Sequence, residues 1–357
     1  MSRPICISAA ASLVLWAAGP ALAHEGHHDL IIKAPVSAAK VDPARRQWLA
    51  GDHHVHSRFS TGWKPAPDGQ PPTPILGGDA IHPIPTNAAM GAKFGLSWMV
   101  ATDHGGPQHS KVNRDQAYPE LLAARRKVPG VIQFYGMELN TPGAEHSSVI
   151  VPTNAAESVV LFGIESRFDR HEPWPYDPTV NTEARMIEAL KYMAGIAAPP
   201  VVIANHPART ASGVGAYGLV SPSELRDWND AAPQEAIGME GAPGHQAASL
   251  NAKAMADPAD AFRGSYLRAP TLGGYDQMTA RLGGYWDSML GEGRRWWITS
   301  TSDHHRHYTE GGNDFWPGEY SKTYVKAVKR PADILDGLRG GRVFTTLGDL
   351  VSELDVT

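Results

Sequence analysis

The chain has 357 residues, with 32 Lys and Arg against 37 Asp and Glu, a net charge of −5 at neutral pH. No stretch gathers the basic residues into a stripe, which excludes a general nucleic-acid binder. With 42% hydrophobic and 19% charged residues, a disordered polymer, a collagen-like repeat and a coiled coil are excluded as well. The length suits one large barrel-type domain or two ordinary ones, and the 16 His, most of them in short clusters, are the unusual feature.

Residues 1–23 read as a signal peptide. Arg3 is followed by an apolar stretch from Ile5 to Ala18, too short to span a bilayer comfortably, and Ala21-Leu22-Ala23 offers small residues for cleavage before His24. The expected location is therefore periplasmic or secreted, with no membrane association after cleavage. The only cysteine, Cys6, lies inside this segment, so metal ligands in the mature chain must be N and O donors. Residues 24–47 form an N-terminal extension that opens on the exposed tail His24-Glu25-Gly26-His27-His28.

From Trp48 onward short apolar runs alternate with helical stretches, the pattern of an α/β barrel or layered sheet, and residues 48–357 are expected to form one domain. Strands are predicted at Trp48 to Val55, Leu96 to Thr102, Val131 to Glu138, Ser147 to Val151, Val201 to Asn205, Ala236 to Glu240 and Trp296 to Thr301. Helices are predicted at Arg114 to Lys127, at Glu183 to Met193 and after the capping sequence Ser221-Pro222-Ser223-Glu224. The Pro- and Gly-rich stretch from Phe59 to Pro85 is too long for an ordinary connection and reads as a functional loop, and Gly241 to Tyr275 is a second irregular segment. The tail is expected to form a helix from Pro331 to Leu338 and a strand from Arg342 to Thr345.

The His and acidic clusters fall at the ends of these strands: His54 and His56, Asp103-His104, Glu138 with His146 opening the next strand, His206, and Asp303 with His305. In a barrel such ends converge on one face. Residues i and i+2 of a strand point the same way, so His54 can share an ion with His56, and Asp303 with His305. So many imidazoles and carboxylates in one place are costly unless a cation holds them. A thiol-free set suits Zn, Mn or Fe, and the number of ligands calls for two or three divalent ions.

The pieces His54-Val55-His56-Ser57, Ala101-Thr102-Asp103-His104, Gly136-Met137-Glu138, His146, Asn205-His206-Pro207 and Ser302-Asp303-His304-His305 resemble, in order, the motifs of the polymerase and histidinol phosphatase (PHP) superfamily. The resemblance implies a distorted seven-stranded (β/α) barrel, with the long insertion loop on its active-site face, that hydrolyses phosphate esters with a metal-bridged hydroxide. It implies one ion on His54, His56, Glu138 and Asp303, a second on Glu138, His146 and His206, and a third on His104 and His305. One position departs: Thr61 stands where the family's first motif carries an Asp ligand to the third ion, and Asp68 and Asp79 are the acids that the insertion offers instead.

The expected function is that of an exported metal-dependent phosphoesterase for small organic phosphate esters, with diesters slightly favoured because a weakened third site carries less positive charge. An amide or lactone metallohydrolase and a non-catalytic metal-binding protein are the alternatives. Arg209, three residues past His206, is a candidate phosphate clamp. Asp103 and His307 are candidate supports of the ligands. His53 and His304 are expected to point away from the ions if their strands are regular.

Overall fold

The structure is a computed structural model that describes residues 41–67, 69–244, 266, 269, 271–306 and 314–355. These belong to one compact unit, Pro35–Thr357. The leader, the His24 to His28 tail, Asp68, His307 and most of the second irregular segment lie outside the described residues.

The strands in chain order are β1 Gln47–Val55, β2 Gly62–Lys64, β3 Thr73–Ile75, β4 Trp98–Ala101, β5 Ile132–Asn140, β6 His146–Val151, β7 Val201–Ala204, β8 Ala236–Ala242, β9 Trp297–Ser300, β10 Ser321–Ala327 and β11 Val343–Leu347. The seven strands expected around the clusters all form. They belong, however, to a nine-stranded mixed sheet in the order β11-β10-β1-β4-β5-β6-β7-β8-β9, while β2 and β3 pair as a separate hairpin inside the insertion. The seven-stranded (β/α) barrel is thus incorrect: the architecture is a nearly closed barrel of nine mixed strands with helices packed outside.

Two features of the chain explain the difference. Only residues 141–145 separate β5 from β6, too few for the dozen-residue crossover that parallel strands require, and the two strands pair antiparallel. The segment Ser321–Ala327, a weakly patterned polar run in the sequence, adds antiparallel to the outer edge of β1 and brings β11 with it. On the far edge, the chain leaving β9 returns to β1 through a Val55–His304 bridge in which His56 N donates to His304 O at 3.0 Å. Thr323 Oγ1 of β10 further binds both Ser300 N and Ser300 O of β9, each at 2.8 Å.

The helices follow the same local signals. Pro222–Ala231 is capped by Ser221, whose Oγ accepts from Glu224 N at 3.1 Å, and Glu183–Ala194 by Thr182. The predicted Arg114 helix begins earlier, at His109, and runs through a π turn into Tyr118–Lys127. Helices Ile84–Lys93 and Glu157–Phe168 were not anticipated.

Alternation along the strands builds two apolar layers. Tyr135, Met137, Val149, Val151 and Val202 pack against the helices, among them Leu161, Met186 and Trp228. Leu49, Phe134, Ile150, Ile203 and Val325 fill the opposite face with the C-terminal helix Pro331–Arg339. Close approach at the start of this inner layer requires glycine at 51, where a Cβ would lie 1.9 Å from the Trp98 indole.

One buried ion pair braces the loop after β1. His109, 2% exposed, sets Nδ1 2.6 Å from Glu165 Oε1 and Nε2 2.8 Å from the carbonyl of Phe59. Burial disfavours its charge, but Glu165 prevails and raises the imidazole from 6.5 to about 9. The folded pKa lies above the unfolded one, so the pair's contribution is complete below pH 6.5 and is lost as pH rises through about 9. In urea unfolding, His109→Leu is expected to cost roughly 3 kcal/mol at pH 6, because it strands a buried carboxylate. The gap from the native chain should narrow toward pH 9.5.

Candidate metal centre

Strand direction places the ligand candidates. The C-terminal ends of β1, β4, β5, β7, β8 and β9 reach one face, and because β6 runs antiparallel, its first residue, His146, arrives there too. In β1 the pairing register shifts between Asp52 and Val55. Leu49 and His53 face inward, and without the shift His54 and His56 would face the helices. His53 enters the barrel in phase with Leu49 and meets Ser148 Oγ at 3.0 Å and Thr299 Oγ1 at 2.7 Å, and the irregularity brings His54 and His56 to the centre as well. His206 and Asp303 adopt positive φ of 30° and 48°, a rare backbone for non-glycine residues that recurs at functional sites.

All eight candidate ligands come together. Four overlapping groups have ligand atoms close enough to hold a metal ion: His54, His56 and Asp303; His54, Glu138 and His206; His104, Glu138 and His146; and His56, Asp79, His104 and His305. His54 Nε2 lies 2.9 Å from His56 Nε2, 3.0 Å from Asp303 Oδ1 and 3.0 Å from Glu138 Oε1. Ligands bound at about 2.1 Å at right angles lie about 3.0 Å apart, so these spacings suit a common cation.

The other nitrogen of each ring supports the same reading. His54 Nδ1 sits 2.6 Å from Glu240 Oε1, and a carboxylate can only accept, so Nδ1 carries the proton. His56 Nδ1 is 2.8 Å from Ser60 Oγ, whose hydroxyl donates to Asp103 Oδ1 at 2.9 Å, so this Nδ1 is also the donor. In their neutral forms the two Nε2 atoms therefore turn lone pairs on each other across 2.9 Å, and only a proton or a cation fits between them. His305 follows the pattern, with Nδ1 on the carbonyl of Asp303 at 2.8 Å and Nε2 3.1 Å from Asp79 Oδ2. Donation from the far nitrogen to a carboxylate or carbonyl is how metal-binding histidines are oriented. Among the described residues, His146 Nδ1, though 3.1 Å from Glu138 Oε1, and His206 Nδ1 are buried without a hydrogen-bond partner. The donor set fits divalent ions.

Charge follows from these contacts. Burial opposes ionisation of Glu138, yet His146 and His54 hold it well below the usual carboxylate range. Burial likewise works against the His54 imidazolium, but Asp303, Glu138 and Glu240 raise it well above an ordinary histidine. Burial lowers His146 to about 3 against the opposing pull of Glu138.

Asp103 accepts from Ser57 N at 2.6 Å and Ser60 Oγ at 2.9 Å, and Ser60 Oγ in turn meets His56 Nδ1. Arg209 is engaged by Glu145 through Nε at 3.1 Å and through Nη2, and Nη1 has no hydrogen-bond partner among the described residues. His304 points away, with Nδ1 on Phe315 O at 2.9 Å.

No family model matches the chain, and no curated protein matches it. Among solved structures, PsfC from Pseudomonas syringae PB-5123 is similar, at 14% identity and a TM-score of 0.42 over 85% of this chain and 92% of that one.

The sequence reading missed Glu240. It is fully buried and accepts from His54 Nδ1 at 2.6 Å, His206 N at 2.6 Å and Thr301 Oγ1 at 2.7 Å. The signal was available, since Glu240 ends the predicted strand Ala236 to Glu240. It also missed Asp52, which ties His54 N to Ser302 N, each at 3.0 Å. Glu240→Gln is expected to weaken metal binding about 10- to 100-fold, the usual cost of losing such a partner. Competition with a chromophoric chelator measures this directly.

Proposed function

We propose that this chain is an exported metal-dependent phosphoesterase acting on small organic phosphate esters. The observation that carries the reading is the joint use of Glu138: Oε1 lies 3.0 Å from both His54 and His206, while Oε2 lies 3.4 Å from His56. A carboxylate shared between imidazole groups suits adjacent cations, for which phosphate oxygens are natural ligands. Bound there, divalent ions would supply Lewis acidity and a water acidic enough to attack near neutral pH.

The chain's own part is to orient and to exclude water. Glu240, Ser60 with Asp103, and the Asp303 carbonyl fix the tautomers of His54, His56 and His305. Arg209 is kept charged, because Glu145 outweighs its burial and Glu138 and Asp303 add to the effect. Its Nη1 is the donor left for a phosphoryl oxygen. The preference for diesters loses its premise, since Asp79 supplies the third group with a carboxylate, and the proposal covers monoesters and diesters alike.

Metal analysis and a panel of phosphate monoesters, diesters, amides and lactones test the reading. Two or three transition-metal ions per chain are expected, with phosphate-ester turnover that a chelator abolishes and metal restores. Turnover confined to amides or lactones, or none with metal bound, would reject it.

A further inference from the structure

His53 is fully buried inside the barrel and belongs to none of the four ligand groups. We infer that it anchors a one-way chain of hydrogen bonds, through Ser148 and Asn205, that ends on the carboxylate of Glu138. Asn205 is then the positioning residue of that carboxylate, a role that rests on the metal centre of the phosphoesterase reading but not on its reaction.

The direction of the chain follows from which atoms can donate. Ser148 N lies 3.1 Å from one end of the Asn205 amide. A backbone N–H only donates, so that end is Oδ1, and Nδ2 faces Glu138 Oε1 at 3.0 Å. Ser148 Oγ stands 3.0 Å from the same Oδ1. Two oxygens so close repel unless a proton lies between them, and the Ser148 hydroxyl is the one that carries a proton. That hydroxyl therefore turns a lone pair on His53 Nδ1, 3.0 Å away, and Nδ1 carries the imidazole proton. A turn of the hydroxyl toward His53 O, at 3.3 Å, leaves the tautomer the same. Burial lowers His53 to about 4, so the ring is neutral and its bare Nε2 accepts from Thr299 Oγ1 at 2.7 Å. Met239 O is a more distant acceptor for Thr299, at 3.3 Å. Donation thus passes from Thr299 of β9 through His53 of β1, Ser148 of β6 and Asn205 after β7 to Glu138 of β5.

Glu138 needs such a hold. Its Oε1 meets His54, His206 and Asn205, each at 3.0 Å. The imidazoles can offer it a proton only while no cation holds their Nε2, whereas the neutral amide of Asn205 keeps its own. Asn205 is accordingly the donor that stays on Oε1 with or without a cation. Its own orientation is fixed twice over, by the two donations from Ser148 and by Asn205 N, which donates to His146 O at 2.9 Å. Asn205 is fully buried, and aligned donations in such surroundings strengthen one another.

The test uses the full, zinc-loaded chain with isotope-labelled histidine for nitrogen NMR, and zinc competition against a chromophoric chelator. His53, assigned by its loss in His53→Asn, is expected as the Nδ1–H tautomer. Asn205→Leu, similar in volume but without a donor, should weaken zinc binding at least about tenfold. Ser148→Ala keeps the backbone donation to Asn205 but takes the acceptor from Nδ1. His53 should then invert to the Nε2–H tautomer, donating to Thr299, and zinc binding should weaken several-fold. A side chain that merely filled the core would not link the tautomer of His53 to zinc affinity. If no phosphate ester is hydrolysed while tautomer and affinities come out as expected, the phosphoesterase reading falls and the chain to Glu138 stands. An Nε2–H tautomer in the native protein, an unchanged tautomer in Ser148→Ala, or native zinc affinity in either folded variant overturns the inference. Should Asn205→Leu fail to fold, the native tautomer and Ser148→Ala decide.

Discussion

Glu138→Gln is expected to release most of the bound metal and to lower phosphate-ester hydrolysis by about a thousandfold. Glu138 Oε1 faces His54 and His206 at 3.0 Å and His146 at 3.1 Å, while Oε2 faces His56 at 3.4 Å and His104 at 3.9 Å. Among the described residues no other carboxylate of the centre is seen to approach five imidazoles. The amide keeps the shape, and Asn205 Nδ2, which donates to Oε1 at 3.0 Å, would then meet a carbonyl or an amino group instead of a charge. What is lost is the negative charge that adjacent cations share. Lewis-acid stabilisation of a phosphoryl transition state amounts to several kcal/mol, and about 4 kcal/mol is a factor of roughly a thousand. Elemental analysis and steady-state rates on the folded variant measure both effects. Native metal content with a native rate would refute the shared-carboxylate centre.

The second large effect is expected at Asp79, whose replacement by Asn should weaken the most loosely held ion by tenfold or more. Thr61 does not fill the place of the missing acid: its Oγ1 is buried without a hydrogen-bond partner among the described residues, and a Cβ on Gly105 would meet it at 2.6 Å. Asp79 comes instead from the insertion and sets Oδ2 3.1 Å from both His104 Nε2 and His305 Nε2. The loop is fastened there by Arg306, whose Nε donates to Asp79 O at 2.6 Å and whose Nη2 donates to Gly78 O at 2.7 Å. Without Asp79 the group offers a divalent cation only the imidazoles of His56, His104 and His305, so losing this carboxylate removes the site's own negative charge. Adding Thr61→Asp to Asp79→Asn should recover part of the affinity, because it returns an acid to the other flank of His104. Metal titration followed calorimetrically reads each step. An identical titration for the native chain and Asp79→Asn would remove the loop from the centre.

How much of this was legible beforehand depends on the range of the physics involved. Periodicity and strand ends are local, so the seven strands and all eight His, Glu and Asp ligand candidates could be read from the residues themselves, as could the Ser221 cap. Strand count and direction are not local. β10 reads as a polar, weakly patterned run, and only the open edge of β1 makes it a strand, while the short connection after Asn140 turns β6 around and delivers His146 to the right face. The register shift in β1 is likewise invisible in His53-His54-Val55-His56, yet it is what brings His54 and His56 inward beside His53. Partners distant in sequence were beyond reach for the same reason: Glu240 lies 186 residues from His54, and Glu145 engages Arg209 across 64. Thr61 marked the missing acid, but a loop acid such as Asp79 is ordinarily solvated, and only packing against Ser60, His305 and Arg306 carries it to the imidazoles. The sequence by itself determined which donors the centre has, because donor chemistry resides in each side chain. The tertiary structure decided which donors share a cation and what orients them, because distance, burial and tautomer are properties of the assembled neighbours.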